Sequence, residues 1–599
     1  MSSAARSLAS RRRGPVLLLV TGLATLAACS GGEPASTPWA FPTGWMYSAS
    51  VEPVTADSGM VVSTDSIAST VGIAILKAGG NAVDAAVATG FALAVVNPEA
   101  GNIGGGGFMV VRLADGESYA LDYREKAPAA ATRDMYLDEH GNLTDKSVVG
   151  HLAAGVPGSV SGLWAAHQRF GVLPWADVVQ PAIDLADGFP LHARLAGGLT
   201  FSREALARFP STAAQFLPGG EAPALGARFA QPDLARTLTR IRDEGPDGFY
   251  RGETADLIVA EMRRGGGIIT HADLEAYTPA WRDPIRFTYR NHTLLSMPPS
   301  SSGGATMAEI ANMVEAFDLR SMRWHSPDQL HVYVEAARRA FSDRNEYLAD
   351  PDFVSMPLDR MVSKAYARER GADIQRSQAT PSSEVGPGLG PSERGGETTH
   401  YSVVDAQGNA VATTTTLNSW YGNGVTVTGA GFLLNNEMDD FAAKPGTPNQ
   451  FGLVQGENNA IEPGKRMLSA MTPTIVLDAQ GDLFLVTGTP GGSTIITTVF
   501  QMISNVIDYG MNVAQAVNAP RVHHQHLPDV VVYEFGALDD ATVAGLETLG
   551  HRLQEREQGE TDAYFSGGVS GDVQAIQVGA DGRLQGWSDP RRGGKAVGW

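Results

Sequence analysis

The chain has 599 residues, with 45 Lys and Arg against 65 Asp and Glu, a formal charge of −20. Only seven lysines are present and no basic block occurs beyond the extreme N-terminus, which excludes the cationic surface that displaces counterions from a nucleic acid. With 43% hydrophobic and 18% charged residues and 69 glycines lacking a collagen-like period, the composition excludes a disordered or fibrous chain and fits a loop-rich globular enzyme.

Arg6, Arg11, Arg12 and Arg13 precede an apolar stretch from Pro15 to Ala28. That is shorter than the roughly 20 residues a bilayer crossing needs, and it reads as a secretory signal. It closes on Leu26-Ala27-Ala28-Cys29-Ser30, which resembles the lipobox of bacterial lipoproteins, in which the cysteine is lipidated and becomes the first residue after cleavage. The alternative is an ordinary signal peptide with an incidental cysteine. Cys29 is the only cysteine, so neither an internal disulfide nor a Cys-based zinc site is available. Residues 30–50, rich in Gly, Ser, Pro and Thr, read as a tether, with the body outside the cytoplasm.

In the body, apolar spacing predicts a helix from Ser66 to Lys77, stopped by Gly79-Gly80-Asn81, and a second from Ala82 to about Val96. Further helical patterns fit 161–170, 175–187, 229–243, 253–264 and 306–316, and 327–348 is long and continuous. The N-terminal two thirds are expected to be mainly helical. A Gly/Pro/Ser-rich segment from Gln375 to Glu397 reads as a mobile linker, after which short β-branched runs alternate with turn residues.

No nucleophile elbow, Ser-x-x-Lys, His-Glu-x-x-His, Walker A or dinucleotide-binding glycine motif is present. Gly104 to Gly107 lacks the Lys and Ser or Thr of a phosphate loop and reads as a tight backbone passage. Directly after the linker, Thr398 to Val404, the turn Asp405 to Asn409 and Ala410 to Asn418 form a β-hairpin pattern. A turn centred on Gln407 places Thr416 opposite Thr398 and sets Thr414, Thr416 and Asn418 on one face. A slip of one residue would undo that convergence. A threonine hydroxyl becomes a nucleophile when a base takes its proton, and the residue's own free α-amino group is one such base. That requires a chain break before Thr398, and the linker is where a break tears no core.

These residues resemble the γ-glutamyltransferase (γ-glutamyl transpeptidase) family of N-terminal nucleophile (Ntn) hydrolases. The resemblance runs from about residue 50 to the C-terminus. It rests on Gly79 to Ala86, Gly104 to Phe108, Asp122-Tyr123-Arg124-Glu125, Gly155 to Gly158, Pro298 to Gly304, Thr398 to Tyr401, Leu434-Asn435-Asn436 with Met438-Asp439-Asp440, Pro490 to Ser493 and Asp589-Pro590-Arg591. It implies an α+β fold, an αββα sandwich of two stacked sheets between helical layers. The precursor cuts itself between Glu397 and Thr398 into a large subunit, 51–397, and a small one, 398–599, which stay together. Thr398 is then the nucleophile that takes the γ-glutamyl group of glutathione or a related compound and passes it to water, an amino acid or a peptide, with no cofactor.

By the same resemblance Thr416 orients the nucleophile, and Gly491 and Gly492 supply the oxyanion donors. Arg124 binds the α-carboxylate, while Asn418, Glu437 and Asp440 surround the ammonium. The chain departs from the family pattern where two serines usually face the carboxylate: Ser469 is kept and Ala470 replaces its neighbour. Losing one hydrogen bond to a charged group costs on the order of 1.5 to 3 kcal/mol. Lys444 to Gly456 resembles the lid loop over the site, with Phe451 where a tyrosine is common. His400, His523, His524 and His526 lack an accompanying acidic ligand set, so no metal site is expected. Two alternatives remain: an Ntn acylase for glutaryl-type or other amides, pointed to by Ala470, and an inactive envelope lipoprotein.

Overall fold

The computed structural model describes residues 39–388, 399–447, 449–450, 456–557 and 571–599. The leader with Cys29, the tether as far as residue 38, the Glu397-Thr398 junction and Phe451 lie outside the described residues.

The hairpin forms in the predicted register. Thr399 faces Thr415, His400 faces Thr414 and Val404 faces Ala410. Asp405 closes the turn, its Oδ1 accepting from the N–H groups of Gln407 at 3.0 Å and Asn409 at 2.9 Å, the self-capping that makes Asp a turn residue. The hairpin is the centre of a seven-stranded sheet ordered Lys595–Gly598, Met60–Ser63, Thr399–Val404, Ala410–Thr416, Gly106–Arg112, Ser118–Asp122 and Ala280–Arg282. A second seven-stranded sheet runs Val54–Ala56, Leu584–Ser588, Gln574–Val578, Leu483–Gly488, Thr474–Leu477, His292–Ser296 and Ile285–Tyr289. The two pack face to face.

Alternation along the strands decides what each face meets. Val61, Met109, Val111, Tyr401, Val403 and Val411 point toward the helices Ser66–Lys77 and Ala82–Val96. Met60, Val62, Phe108, Val110, Val404 and Ala412 point into the core shared by the two sheets and the helices Gly303–Val314, Pro327–Tyr347 and Thr494–Ile507. The layer order is therefore helix, sheet, sheet, helix, as the resemblance implies.

Ser66–Lys77 and Ala82–Val96 have the predicted bounds because their ends are capped. The Asp65 side chain accepts from Ile67 and Ala68, and Asn81 and Asp84 form a reciprocal capping box. The expectation of a mainly helical first two thirds is incomplete, since seven of the fourteen strands of the two sheets precede the hairpin; Met60–Ser63 and Gly106–Arg112 flank it directly. Both are buried along their whole length, so neither shows the half-polar alternation by which a strand is read.

Two further expectations are corrected. Residues 39–50 are not tether: Trp39 packs 5.6 Å from Phe41 and 6.5 Å from Trp324, and Trp45 donates its indole N–H to Asn518 O at 2.9 Å. Nor is 375–388 a free linker. Ala379, Ser382 and Val385 are buried, the Ala379 N–H donates to Leu549 O at 2.6 Å, and that of Gly388 donates to Asp343 Oδ1 at 2.7 Å. Side chains remote in sequence hold a segment whose own composition promises mobility.

Candidate active site

The hairpin carries Thr416 at its open end. There the second strand is paired to Gly106, and a Cβ on the adjacent Gly105 would lie 1.9 Å from Thr416 O, so the glycine run is the tight passage expected. The Thr416 hydroxyl accepts from the Asn418 N–H at 2.7 Å. Asn418, at φ 73°, turns the chain out of the strand and donates its side-chain amide to Asn436 O at 3.0 Å. That carbonyl precedes the 3₁₀ turn Glu437–Asp440. Asn435 fixes the start of this turn, its Oδ1 accepting from Gly155 at 2.9 Å and Glu437 at 3.0 Å while its amide donates to Gly104 O at 2.9 Å.

The turn delivers Glu437 and Asp440 to Arg124, which leaves the end of the Ser118–Asp122 strand fully buried. One guanidinium nitrogen pairs with Glu437, the other with Asp440, and Nε donates to Met467 O at 3.2 Å. A third carboxyl, Glu125, stands 3.6 Å from the same guanidinium. It accepts no hydrogen bond from another residue among those described, and it fits because Gly106 has no side chain: a Cβ there would lie 2.6 Å from Glu125 Oε2.

One guanidinium thus faces three buried acids. Burial pushes Glu125 up to about 8 against the pull of Arg124, with Asp440 and Asp122 adding to the rise. It pushes Asp440 up to about 7, opposed by Arg124 and helped by Asp439. Glu437 is raised well above the carboxylate range by burial and by Glu125 and Asp440, again against Arg124. The three titrate as a unit, with a single guanidinium set against three carboxyls.

Gly491 and Gly492 come from the other sheet, just beyond the Leu483–Gly488 strand, at φ 134° and 61°. Both are left-handed, where a side chain is disfavoured. They lead into the Thr494–Ile507 helix, whose N-terminal end favours developing negative charge. The sheets meet at this point: a Cβ on Gly488 would lie 2.4 Å from the His400 ring, and His400 Nδ1 is 2.9 Å from Thr414 Oγ1.

Comparison with known proteins decides the family. The gamma-glutamyltranspeptidase family profile matches residues 68–599. The chain belongs to this family. It is 48% identical over 582 residues to a glutathione hydrolase proenzyme of Escherichia coli (strain K12), covering 96% of this chain and 98% of that one. Among solved structures, the gamma-glutamyltranspeptidase of Helicobacter pylori is 45% identical over 54% of this chain and 94% of its own, at a TM-score of 0.53. The cephalosporin acylase of Bacillus halodurans is 28% identical, covers 93% of this chain and 99% of its own, and superposes at 0.81. The gamma-glutamyltranspeptidase family members are enzymes of the Ntn-hydrolase fold, and this chain is one of them.

The structure brings together Arg124, Glu437, Asp440 and Asn418 and adds Glu125, which the sequence offered only as part of a motif. Ser469 lies beside Pro298–Gly304, its N–H donating to Ser300 O at 2.9 Å and its hydroxyl accepting from Met471 N at 3.1 Å. Ala470 is fully buried in the inter-sheet core with Leu468 and Met471. In the segment that resembles a lid loop, Lys444 Nζ donates to Gly141 O at 2.7 Å and Gln450 Oε1 accepts from Ser419 Oγ at 2.8 Å.

The histidines are engaged elsewhere. Burial pushes His400 and His523 down to about 3 and His524 to about 4. His526 Nε2 is 2.8 Å from Val385 O. A cluster that sequence spacing did not show, His331, Glu335 and His551, has ligand-like proximity. Its two rings share a 2.7 Å hydrogen bond, and Glu335 is already paired with Arg338 at 3.2 Å and Arg339 at 2.7 Å, so it reads as a polar network.

Proposed function

We propose that this protein is a γ-glutamyltransferase and glutathione hydrolase that matures by cutting itself between Glu397 and Thr398. The observation that carries the substrate choice is the surplus of acid at Arg124. A γ-glutamyl group brings a carboxylate for the guanidinium and an ammonium for the surrounding acids. A glutaryl group brings the carboxylate but no ammonium, so the surplus of acid weighs against the acylase alternative even though Ala470 removes one hydroxyl.

In maturation the Thr398 hydroxyl attacks the Glu397 carbonyl carbon. The C–N bond breaks, the hydroxyl proton passes to the departing Thr398 nitrogen, and an ester results. Water hydrolyses it, leaving the Glu397 carboxylate and a free threonine amine. That amine then serves as the base for the same hydroxyl in attack on the γ-carbonyl. Thr416 orients the hydroxyl, and the N–H groups of Gly491 and Gly492 receive the oxyanion. The amine of the donor leaves protonated, and water or an acceptor amine resolves the γ-glutamyl ester. The larger fragment, which ends at Glu397 and keeps the lipidated segment ahead of residue 51, and the smaller, 398–599, act as a heterodimer. Export through the leader and lipidation at Cys29 place it in the cell envelope, anchored by lipid alone; among the described residues no helix is long and apolar enough to cross a membrane.

The test is the mass of the full chain left to mature at neutral pH, with hydrolysis of a γ-glutamyl anilide followed in parallel. Two fragments, the smaller starting at Thr398, and activity abolished by Thr398→Ala are expected. An uncut chain, or activity that survives Thr398→Ala, rejects the reading; turnover of a glutaryl anilide above the γ-glutamyl one rejects the substrate.

A further inference from the structure

The loop that carries Gly491 and Gly492 is gripped by two threonine hydroxyls, one on each side of the pair. Thr489 directly follows the Leu483–Gly488 strand and is fully buried. Its hydroxyl donates to Pro490 O at 2.8 Å and accepts the Asp572 N–H at 2.7 Å. Asp572 can come that close because a glycine precedes it: a Cβ on Gly571 would lie 2.4 Å from Thr489 Oγ1 and 3.0 Å from Pro490 O. Thr494, the first residue of the Thr494–Ile507 helix, is also buried. It holds the next carbonyl twice, donating its hydroxyl to Gly491 O at 2.6 Å and its N–H to the same oxygen at 3.2 Å.

A trans peptide unit is planar and points its C=O and its N–H in opposite directions. Pro490 O shares a unit with the Gly491 N–H, and Gly491 O shares the next with the Gly492 N–H. Two contacts on the carbonyl side therefore set the direction of both N–H groups on the other. The glycines, at φ 134° and 61°, have no Cβ to resist rotation of these planes, so the resistance has to come from what the carbonyls are bonded to. Threonine hydroxyls often satisfy a nearby carbonyl, but here they select the two consecutive units of the glycine pair. Both glycines are buried, and neither N–H donates to another group among the described residues. Buried N–H groups are nearly always paired, and a pair with no internal acceptor suits an acceptor that arrives with the substrate.

We propose that Thr489 and Thr494 are positioning residues of the oxyanion site, fixing the two peptide planes whose N–H groups meet the developing negative charge. The inference rests on the assignment of Gly491 and Gly492 made above. Neither hydroxyl touches the reacting atoms. A donor already aimed needs no reorientation as charge develops, whereas one on a loose peptide has to be turned at that moment. Without its threonine hydroxyl the N–H survives but its direction does not, so the loss falls below the 10²- to 10³-fold of a removed donor. The two sites also differ. Pro490 O has no other donor among the described residues, while Gly491 O keeps the Thr494 N–H. Losing the Thr489 hydroxyl should therefore lower kcat about ten- to a hundredfold, and losing that of Thr494 about three- to tenfold, with KM within about twofold because the contact strengthens only in the transition state.

The experiment measures kcat and KM for a γ-glutamyl anilide, per matured chain and well below each melting temperature, in full-length wild type, Thr489→Val, Thr489→Ser, Thr494→Val and Gly491→Ala. Valine keeps the shape and removes the hydroxyl; serine keeps the hydroxyl and removes a methyl. Thr489→Val should lose kcat as stated, Thr489→Ser should stay within about threefold of wild type, and Thr494→Val should fall between them. A threonine needed only for packing gives the reverse order, spared by valine and harmed by serine. If Thr489→Val does not fold or mature, Thr489→Ser and Thr494→Val carry the test. Valine variants at wild-type kcat, or a serine variant that loses more than about tenfold, overturn the positioning role. The oxyanion assignment stands in that case if Gly491→Ala has lost its 10²- to 10³-fold. A Gly491→Ala enzyme that turns over at the wild-type rate removes the assignment and this inference with it.

Discussion

The surplus of acid around Arg124 makes the affinity for the γ-glutamyl group depend on pH in a direction the structure dictates. The matured enzyme is titrated with L-glutamate, which carries the ammonium and carboxylate but cannot be turned over, at pH values from 6 to 8. Glu125 pushed up to about 8 and Asp440 pushed up to about 7 hold protons at the lower end, and a protonated acid offers the ammonium no charge. A group titrating in that interval goes from roughly 1 to 10% ionised at pH 6 to roughly 50 to 90% at pH 8, so affinity is expected to rise about ten- to fiftyfold. Calorimetry in buffers of different ionisation enthalpy should register about one proton released on binding at pH 7. Glutarate, without an ammonium, should show neither effect. Glu125→Gln removes one source of repulsion on Glu437 and moves the rise to lower pH. The same shifts set the sign for stability. Acids whose folded pKa is raised favour the folded chain at low pH, and that contribution is lost as pH climbs from the ordinary 4.5 of a glutamate through about 8, so the ligand-free melting temperature should fall over this interval. Glutamate affinity that is flat or declining from pH 6 to 8, without proton release, refutes the account of the cluster.

Gly491→Ala places a Cβ 2.6 Å from Thr494 Oγ1 at φ 134°, and kcat for a γ-glutamyl anilide should drop about 10²- to 10³-fold, the loss typical of one displaced oxyanion donor, with KM changed far less. Thr416→Ala leaves the Asn418 N–H without its acceptor and should slow both maturation and turnover by about two- to tenfold, one ordinary hydrogen bond. Asn81→Ala, which removes a reciprocal helix cap, should cost about 1 kcal/mol in chemical denaturation with kcat untouched.

What could be read from the sequence was what local chemistry decides. The hairpin register followed from Asp405 and its turn, and the first two helices from Asn81, Asp84 and the stopping glycines. What could not be read was decided by partners far along the chain. Gly106–Arg112 looks like an apolar run because the hairpin, the Ser118–Asp122 strand and both cores cover it. Glu125 beside Arg124 looks like a surface ion pair until the fold buries both under the 437–440 turn. Residues 375–388 look unstructured because Asp343, Arg338 and Asp529, which hold them, lie tens to more than a hundred residues away. Trp39 and Trp45 were the signal that the tether ends early, since large aromatics seldom stay in solvent.

The central sheet has a bearing on how the molecule survives the proposed cut. The Thr399–Val404 strand lies between Met60–Ser63 and Ala410–Thr416, and Ala410–Thr416 lies in turn against Gly106–Arg112, so pieces from either side of residue 397 alternate like the fingers of folded hands. Before the cut, assembling that sheet is a first-order event within one chain. Afterwards it is a second-order encounter of two chains, each missing its neighbours and exposing bare strand edges that invite aggregation. A chain cut there has a single concentration-independent opportunity to fold, and its lifetime is then governed by how slowly the interleaved sheet comes apart rather than by an equilibrium it can return to.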